Sequence, residues 1–472
     1  MHLCWSKGDV GGGWGISARS LSDFARMRKT VTLKAMSSRF VTVDRETPML
    51  FPPDLKDWVK KDSLAHYIID AVDTINIHSF SINQRGSGDA QYSPQMMLCL
   101  LIYCYATGRF SSRMIEEATY NDVAARYICG GDHHPDHDTI CTFRRKNGAA
   151  IKEAFVKVLM LAKETGIIKK VGGISIDGTK IKANASKHSA ASYKRAGQTI
   201  RRLEREIEEL MKKAEQADST PLEDGLTIPE ELSRREERKK KLKEARRIIE
   251  ERYKQEKRDR KAEYEKQTAH REEMKKAGKK VGRKPERPQD EEAVPDKMQV
   301  NFTDEESRIM KCGGGNYYEQ CYNAQAAVDT EGSMLILGSY ITNHANDKKE
   351  LNPAIASVDA EIREIESVCA DTGYYSEYAA STAENNGKGP RIYCAVERTK
   401  HHYGIEDIEK KDEKELDEEN YTTKEIMKRR LKSKEGRKKY KKRKETVEPV
   451  FGIIKEVMGF RSFHLRGLEK VN

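Results

Sequence analysis

Residues 172–180, GGISIDGTK, alternate apolar and small residues through Ile174 and Ile176 before reaching Asp177 and a glycine. An apolar run of period two that ends at Asp-Gly reads as a buried strand. A carboxylate at such a strand end is held rigidly while its head faces solvent. Two further acids have comparable settings. Asp371 closes the apolar run of ESVCADTGYY (366–375), and Glu448 opens the helix-like TVEPVFGIIK (446–455) behind a dense basic block. Three such carboxylates can converge on a pair of divalent metal ions, which clamp the attacking and leaving oxygens of a phosphodiester displacement.

Outward from Asp177, CYNAQAAVD (321–329) and SMLILGSYIT (333–342) read as strands two and three. A helical segment follows (351–365), then strand four at ESVCAD, a helix from near Tyr374 and strand five at PRIYCAVE (390–397). This order specifies an α/β fold with a mixed sheet. A long insertion separates strands one and two. Between Arg201 and Lys280 lie 26 basic and 21 acidic residues. Leu203, Ile207, Leu210 and Ala214 mark one narrow apolar seam, and Leu242, Ala245, Ile248 and Ile249 another, with the breaker-rich ADSTPLEDGLTIPE (217–230) between them. The pattern predicts a helical-hairpin coiled coil, with a solvated charged linker as the competing reading. The GRKP stretch (282–285) reads as a basic loop.

Upstream, residues 36–150 read as an all-helical domain. Ser93-Pro94 opens PQMMLCLLIYCYATG, and SSRMIEEATYNDVAARYICGG (111–131) reads as the next helix. DHDTICTFRRKN then exposes Arg144, Arg145 and Lys146. Two short helices of which the second ends basic suit a helix-turn-helix that binds DNA, and suit an ordinary helical domain equally well. The Gly-rich residues 1–35 read as a leader outside the fold, with Met36 as the natural start.

The formal charge of +11 favours a polyanionic partner, and its distribution says more. Twelve basic residues stand against the single Glu435 between Lys428 and Lys444. Nine cysteines without CxxC spacing point to a reduced, cytoplasmic setting. No apolar run approaches the length of a membrane span. Cys129, His133, His134, His137 and Cys141 crowd together, but their spacing matches no zinc site. Each acid also has a bland role: Asp177 as a turn former, Asp371 as a helix cap and Glu448 as a helix-start carboxylate.

The segments together resemble the DDE transposases of bacterial insertion sequences. DGTKIKANASKHSA around Asp177, YNAQAAVD (322–329), ITNHANDKKEL (341–351), ADTGYYS around Asp371 and VEPVFGIIKEVMGFRSFHLRGLEKV (447–471) carry the likeness, as does YSPQMMLCLLIYCYATGRFSSRMIEEATYND in the helical region. The resemblance runs from about Met36 to the last residue. It implies a ribonuclease-H-like catalytic domain (151–195 and 300–472) interrupted by the charged insertion (196–299). It implies Asp177, Asp371 and Glu448 as the catalytic, metal-binding acids, holding two Mg²⁺ ions for which Mn²⁺ can substitute. The family signature Tyr-x2-Arg-x3-Glu-x6-Lys falls on Tyr440, Arg443, Glu448 and Lys455, with four residues between Arg and Glu instead of three. Lys444 has the three-residue spacing, so either basic residue fits the Arg role. Tyr440, Arg443, Lys444 and Lys455 are all expected at the DNA.

Asp329 and Asp347 compete for the second position and rank below Asp371. Asp329 is read as a turn residue and Asp347 as a cap or a supporting group. The implied partners are double-stranded DNA, as terminal inverted repeats and target, and a second copy of the chain on that DNA. A catalytically inactive transposase acting as a repressor is the alternative, and a scaffold built on the hairpin a further one. Relatives usually continue into another helix beyond the RGLEKV segment, so a weakened fold at the chain end is also expected.

Overall fold

A computed structural model describes residues 54–75, 78–82, 90–216, 228–288, 293–312, 317–397 and 420–472. The expected leader, the Met36 start and residues 217–227 lie outside them. GGISID is the first half of a longer strand, β1 (Val171–Lys182), which runs on through Asp177 and Gly178. The predicted turn after Asp177 does not form. Every residue from Ile174 to Lys182 pairs antiparallel with β5 (Tyr318–Asp329), which holds the strand extended past its glycine.

Two minor strands come first along the chain, β2 (Ala190–Ser192) and β3 (Gln299–Asn301), followed by β4 (Arg308–Lys311). The sheet is completed by β6 (Ile336–Thr342), β7 (Glu364–Ala370) and β8 (Arg391–Cys394). Its order is β4-β5-β1-β7-β8, with β6 paired to β5 beside β4. β5 runs antiparallel to both β1 and β6, while β7 and β8 run parallel to β1. This is the mixed α/β sheet that the strand order predicted. Strand alternation divides its side chains. Ile174, Ile176 and Ala327 enter a core with Leu159, Leu351 and Val368 on one face. Ala326 and Val328 meet Val447 and Val450 on the other.

The helical region contains α1 (Leu64–Asp73), α2 (Pro94–Ala106), α3 (Ser112–Asn121), α4 (Val123–Cys129), α5 (His137–Lys146) and α6 (Gly148–Glu164). Helix α2 is buried on nearly all sides, as its unbroken apolar run requires. The predicted helix over 111–131 is two helices. Asp122 takes an extended conformation and its carboxylate accepts from Ala124 N at 2.9 Å and Ala125 N at 3.2 Å, so it ends one helix and caps the next. Phe110 stacks edge-on with Phe460 at 4.8 Å, Phe460 with Phe463 at 5.5 Å, and Phe463 with Tyr322 of β5 at 5.9 Å. This aromatic column joins the helical region to the sheet. Beside it Gly108, at φ +81°, lies so close to the Met458 carbonyl that a Cβ would sit 2.9 Å from its oxygen.

The insertion forms two long helices, α7 (Tyr193–Gln216) and α8 (Ile228–Lys276). They run antiparallel, with Glu206 facing Arg235 at 3.1 Å, Glu204 facing Lys243 at 3.3 Å and Tyr193 bonded to Glu250 at 2.7 Å. Leu203, Ile207, Leu242, Ala245 and Ile249 of the expected seams are buried. The base of the hairpin is closed by β2 against β3. Past its seam, α8 returns to the sheet domain, where His270 bonds Ser381 at 2.8 Å.

The predicted helix over 351–365 ends early. Helix α9 is Leu351–Ala356, and the chain turns before β7 begins. The helix expected from Tyr374 is a single 3₁₀ turn (Thr372–Tyr374), after which Ser376 caps α10 (Glu377–Glu384). The basic block forms α11 (Thr423–Lys432) and α12 (Lys434–Glu445), which lead into α13 (Val447–Gly452). A π-helical turn (Ile453–Val457) and the short α14 (Leu468–Val471) end the chain. There Leu468 and Val471 pack on the Phe463 cluster, and Asn472 Oδ1 accepts from Ile341 N at 2.9 Å.

Candidate functional site

The parallel register between β1 and β7 pairs Ser175 with Cys369. Two residues further along each chain stand Asp177 and Asp371, at the same level of neighbouring strands. Asp371 also accepts a bond from Gly373 N and caps the 3₁₀ turn, so its strand-end and capping roles coexist.

Asp177 lies opposite Ala326 and faces the side of the sheet covered by α12 and α13. Its pKa is raised to about 6. Burial is the main cause; the Gly178 N–H and Arg443 pull it down, and Asp371 and Asp347 push it further up.

Glu448 is brought in by Arg443. One guanidinium nitrogen, Nη1, lies 3.5 Å from Asp177 Oδ2, and Nη2 lies 2.8 Å from Glu448 Oε1. Lys444 is exposed. Arg443, and not Lys444, therefore reaches Glu448. Residues five apart diverge on one continuous helix, but α12 stops at Thr446, whose hydroxyl turns back onto the Lys442 carbonyl at 2.7 Å. The break restores the meeting of Arg443 and Glu448. Helix α13 starts at Val447, so Glu448 is helical rather than extended, and Pro449 sits in the first turn, where its missing N–H costs nothing. Of the expected apolar face, Phe451 and Ile454 pack inward, whereas Val457 is 80 % exposed because the π turn rotates it out.

Tyr440 lies under Arg443, the ring centroid 6.0 Å from the guanidinium carbon, and burial raises its phenol pKa. Lys455 donates to Thr179 Oγ1 and to the Lys180 carbonyl at 3.0 Å, and burial lowers its pKa. Its ammonium is thereby anchored on β1, two residues beyond Asp177.

Other candidates lie elsewhere. Arg144 points inward: its Nη1 bonds Tyr105 OH at 2.9 Å and the Phe110 carbonyl at 3.2 Å. That corrects the expectation that it is exposed, because the loop before α3 needs its carbonyl satisfied. Arg145 and Lys146 are exposed at the end of α5. His137 pairs with Glu116 at 2.8 Å, His134 stacks on Tyr120 at 3.8 Å, and Cys141 bonds Ser112 at 3.2 Å, so the crowded Cys/His residues have separate partners. Asp329 is buried in a turn, accepting from Glu331 N at 2.9 Å, Ser333 N at 3.0 Å and Arg363.

Of the two roles expected for Asp347, the cap does not form. No backbone N–H of the following helix reaches its carboxylate; Oδ1 accepts instead from Asn323 at 2.7 Å and Gln325 at 2.8 Å, with Lys180 at 3.7 Å. The overlooked signal was Asn323 and Gln325, two polar residues alternating through an otherwise buried strand among alanines.

Among the described residues no group of three or more His, Cys, Asp or Glu is drawn tightly enough to hold a metal ion by itself. The donors nevertheless suit a hard cation. They are carboxylates only, and Asp177 is buried near other negative charges with one long ion pair to offset it. No helix among the described residues is long and apolar enough to cross a membrane.

Two protein families match the chain. Residues 53–146 match "Transposase domain (DUF772)", and residues 296–472 match "Transposase DDE domain". No curated protein and no solved structure matches.

Proposed function

We propose that the chain, a DDE transposase of an insertion sequence, binds the terminal inverted repeats of its element, cuts there and joins the freed 3′ ends to target DNA. The observation that carries this reading is Arg443 bridging Asp177 and Glu448, with Asp371 level with Asp177 on the neighbouring strand, from segments scattered along the chain. The sheet order β6-β5-β1-β7-β8, with three antiparallel strands followed by two parallel ones, supports a ribonuclease-H-like catalytic domain.

Asp177, Asp371 and Glu448 would hold divalent metal, Mg²⁺ or Mn²⁺, at two positions. Bound there, the metal would supply Lewis acidity to activate water or a 3′ hydroxyl and to stabilise the leaving oxygen. The chain's own residues orient the reactants. Arg443 keeps Asp177 and Glu448 aligned, and with the acids holding cation its guanidinium would be available to a phosphate oxygen. Lys455, fixed on β1, offers a point charge to the strand being cut. Exposed Arg145, Lys146 and Lys444 grip phosphates further out. Assembly as a homodimer would bring two element ends together.

The test is a labelled duplex carrying a terminal repeat. Asp177→Asn is expected to abolish Mg²⁺-dependent nicking while binding the duplex within about twofold of the unaltered chain, since phosphate contacts supply most of the affinity. Full nicking by that variant would remove Asp177 from the site.

A further inference from the structure

We infer that a buried relay, Asp347–Gln325–Tyr374, runs beneath Gly178 and sets the spacing of Asp177 and Asp371, and with it the affinity of the site for a divalent cation. The inference rests on the functional reading above. Gln325 pairs with Gly178 across β1 and β5, so its side chain lies over the residue that follows Asp177. The approach is close enough that a Cβ on Gly178 would stand 2.3 Å from Gln325 Nε2. At its other end the same amide accepts the Tyr374 hydroxyl. Tyr374 is 1 % exposed, and its N–H bonds the Asp371 carbonyl at 3.2 Å. One side-chain amide is therefore fixed against both acid-bearing segments.

Asp347 sets the orientation of that amide. Its Oδ1 takes the Gln325 N–H at 2.8 Å and the Asn323 N–H at 2.7 Å, which settles which end of Gln325 is left to accept from Tyr374. Without this carboxylate, two buried N–H donors would lose their partner. Lys180, 3.7 Å away, offsets the charge. Asp347 also borders the site. A Cβ on Gly373 would lie 3.2 Å from Asp371 Oδ1 and 3.7 Å from Asp347 Oδ2, so the two carboxylates face each other across a glycine. Asp347 is thus a positioning residue, acting on the acids through Gln325 and Tyr374.

The experiment measures Mn²⁺ binding to the full chain without DNA by electron paramagnetic resonance, giving both Kd and the number of ions bound. Tyr374→Phe removes one hydroxyl and keeps the ring. It is expected to raise Kd about tenfold, the usual size of a supporting-group loss at a metal site, with the number of ions unchanged. Asp347→Asn is expected to shift Kd in the same direction. An unchanged Kd in both variants overturns the relay, and so does a reduced number of ions at unchanged Kd, which marks only a smaller folded fraction. Should Asp347→Asn not fold, Tyr374→Phe decides alone. Asp177→Asn serves as reference: if it binds Mn²⁺ like the unaltered chain, the functional reading fails rather than the relay.

Discussion

Asp177 is poised between two demands. Its folded pKa of about 6 stands above the ordinary aspartate value of 3.8, so ionising it opposes folding. In metal-free protein its contribution to stability is therefore largest at low pH and declines as pH rises from about 4 to about 6. Thermal unfolding across that window should show a fall that Asp177→Asn removes. Cation binding has the opposite slope, because the metal takes only the carboxylate: Mn²⁺ affinity should weaken about tenfold per unit below pH 6. Residue chemistry of this kind was partly legible beforehand. Asp-Gly after an apolar alternation singled out Asp177 as a candidate, yet the spacing alone left Arg443 and Lys444 equivalent. What separates them is a helix break at Thr446, which depends on how α12 and α13 pack on the sheet. Asp347 was left between a cap and a supporting group for a similar reason: its partners Asn323 and Gln325 lie 24 and 22 residues away on β5, where local sequence cannot show them.

At the scale of elements, apolar period predicted the long strands and both hairpin helices, because each buries a single continuous face. It missed β2, β3 and β4, at three or four residues too short to carry a period. It also read the basic block as charge alone, where Ile426 and Met427 bury one side of α11. The ribbon of β2 and β3 has a use. Ser192 pairs with Gln299, and Tyr193 N bonds the Met298 carbonyl at 2.8 Å, so the chain leaves and re-enters the sheet domain at neighbouring points. Replacing residues 194–297 by a short Gly-containing turn should leave the sheet folded, with Mn²⁺ binding within about threefold, since antiparallel neighbours lie only about 5 Å apart. The cost falls on α10, which loses the His270 contact. Far-UV circular dichroism and Mn²⁺ titration check this, and loss of the sheet signal would show that the hairpin is integral to folding.

Across the whole molecule, the charge that suggested a polyanion is less free than its count implies. Of the twelve basic residues in 428–444, Lys428, Arg430, Lys439, Lys441, Lys442 and Arg443 face carboxylates. Binding to a duplex should therefore show a log–log salt slope shallower than the roughly −11 that twelve neutralised phosphates would give at −0.9 each. Fluorescence anisotropy over a range of KCl concentrations measures it.

The aromatic column from Phe110 through Phe460 and Phe463 to Tyr322 has a consequence for ancestry. It is assembled from the front, the rear and the middle of the chain, so any cut between Phe110 and Phe463 separates its members. A chimera that borrows only the helical region must also inherit a matching surface around Phe460, or leave that ring without its neighbour. Exchange of the whole gene keeps the column intact, and the hairpin, closed at its base by two short strands, can be exchanged without touching it.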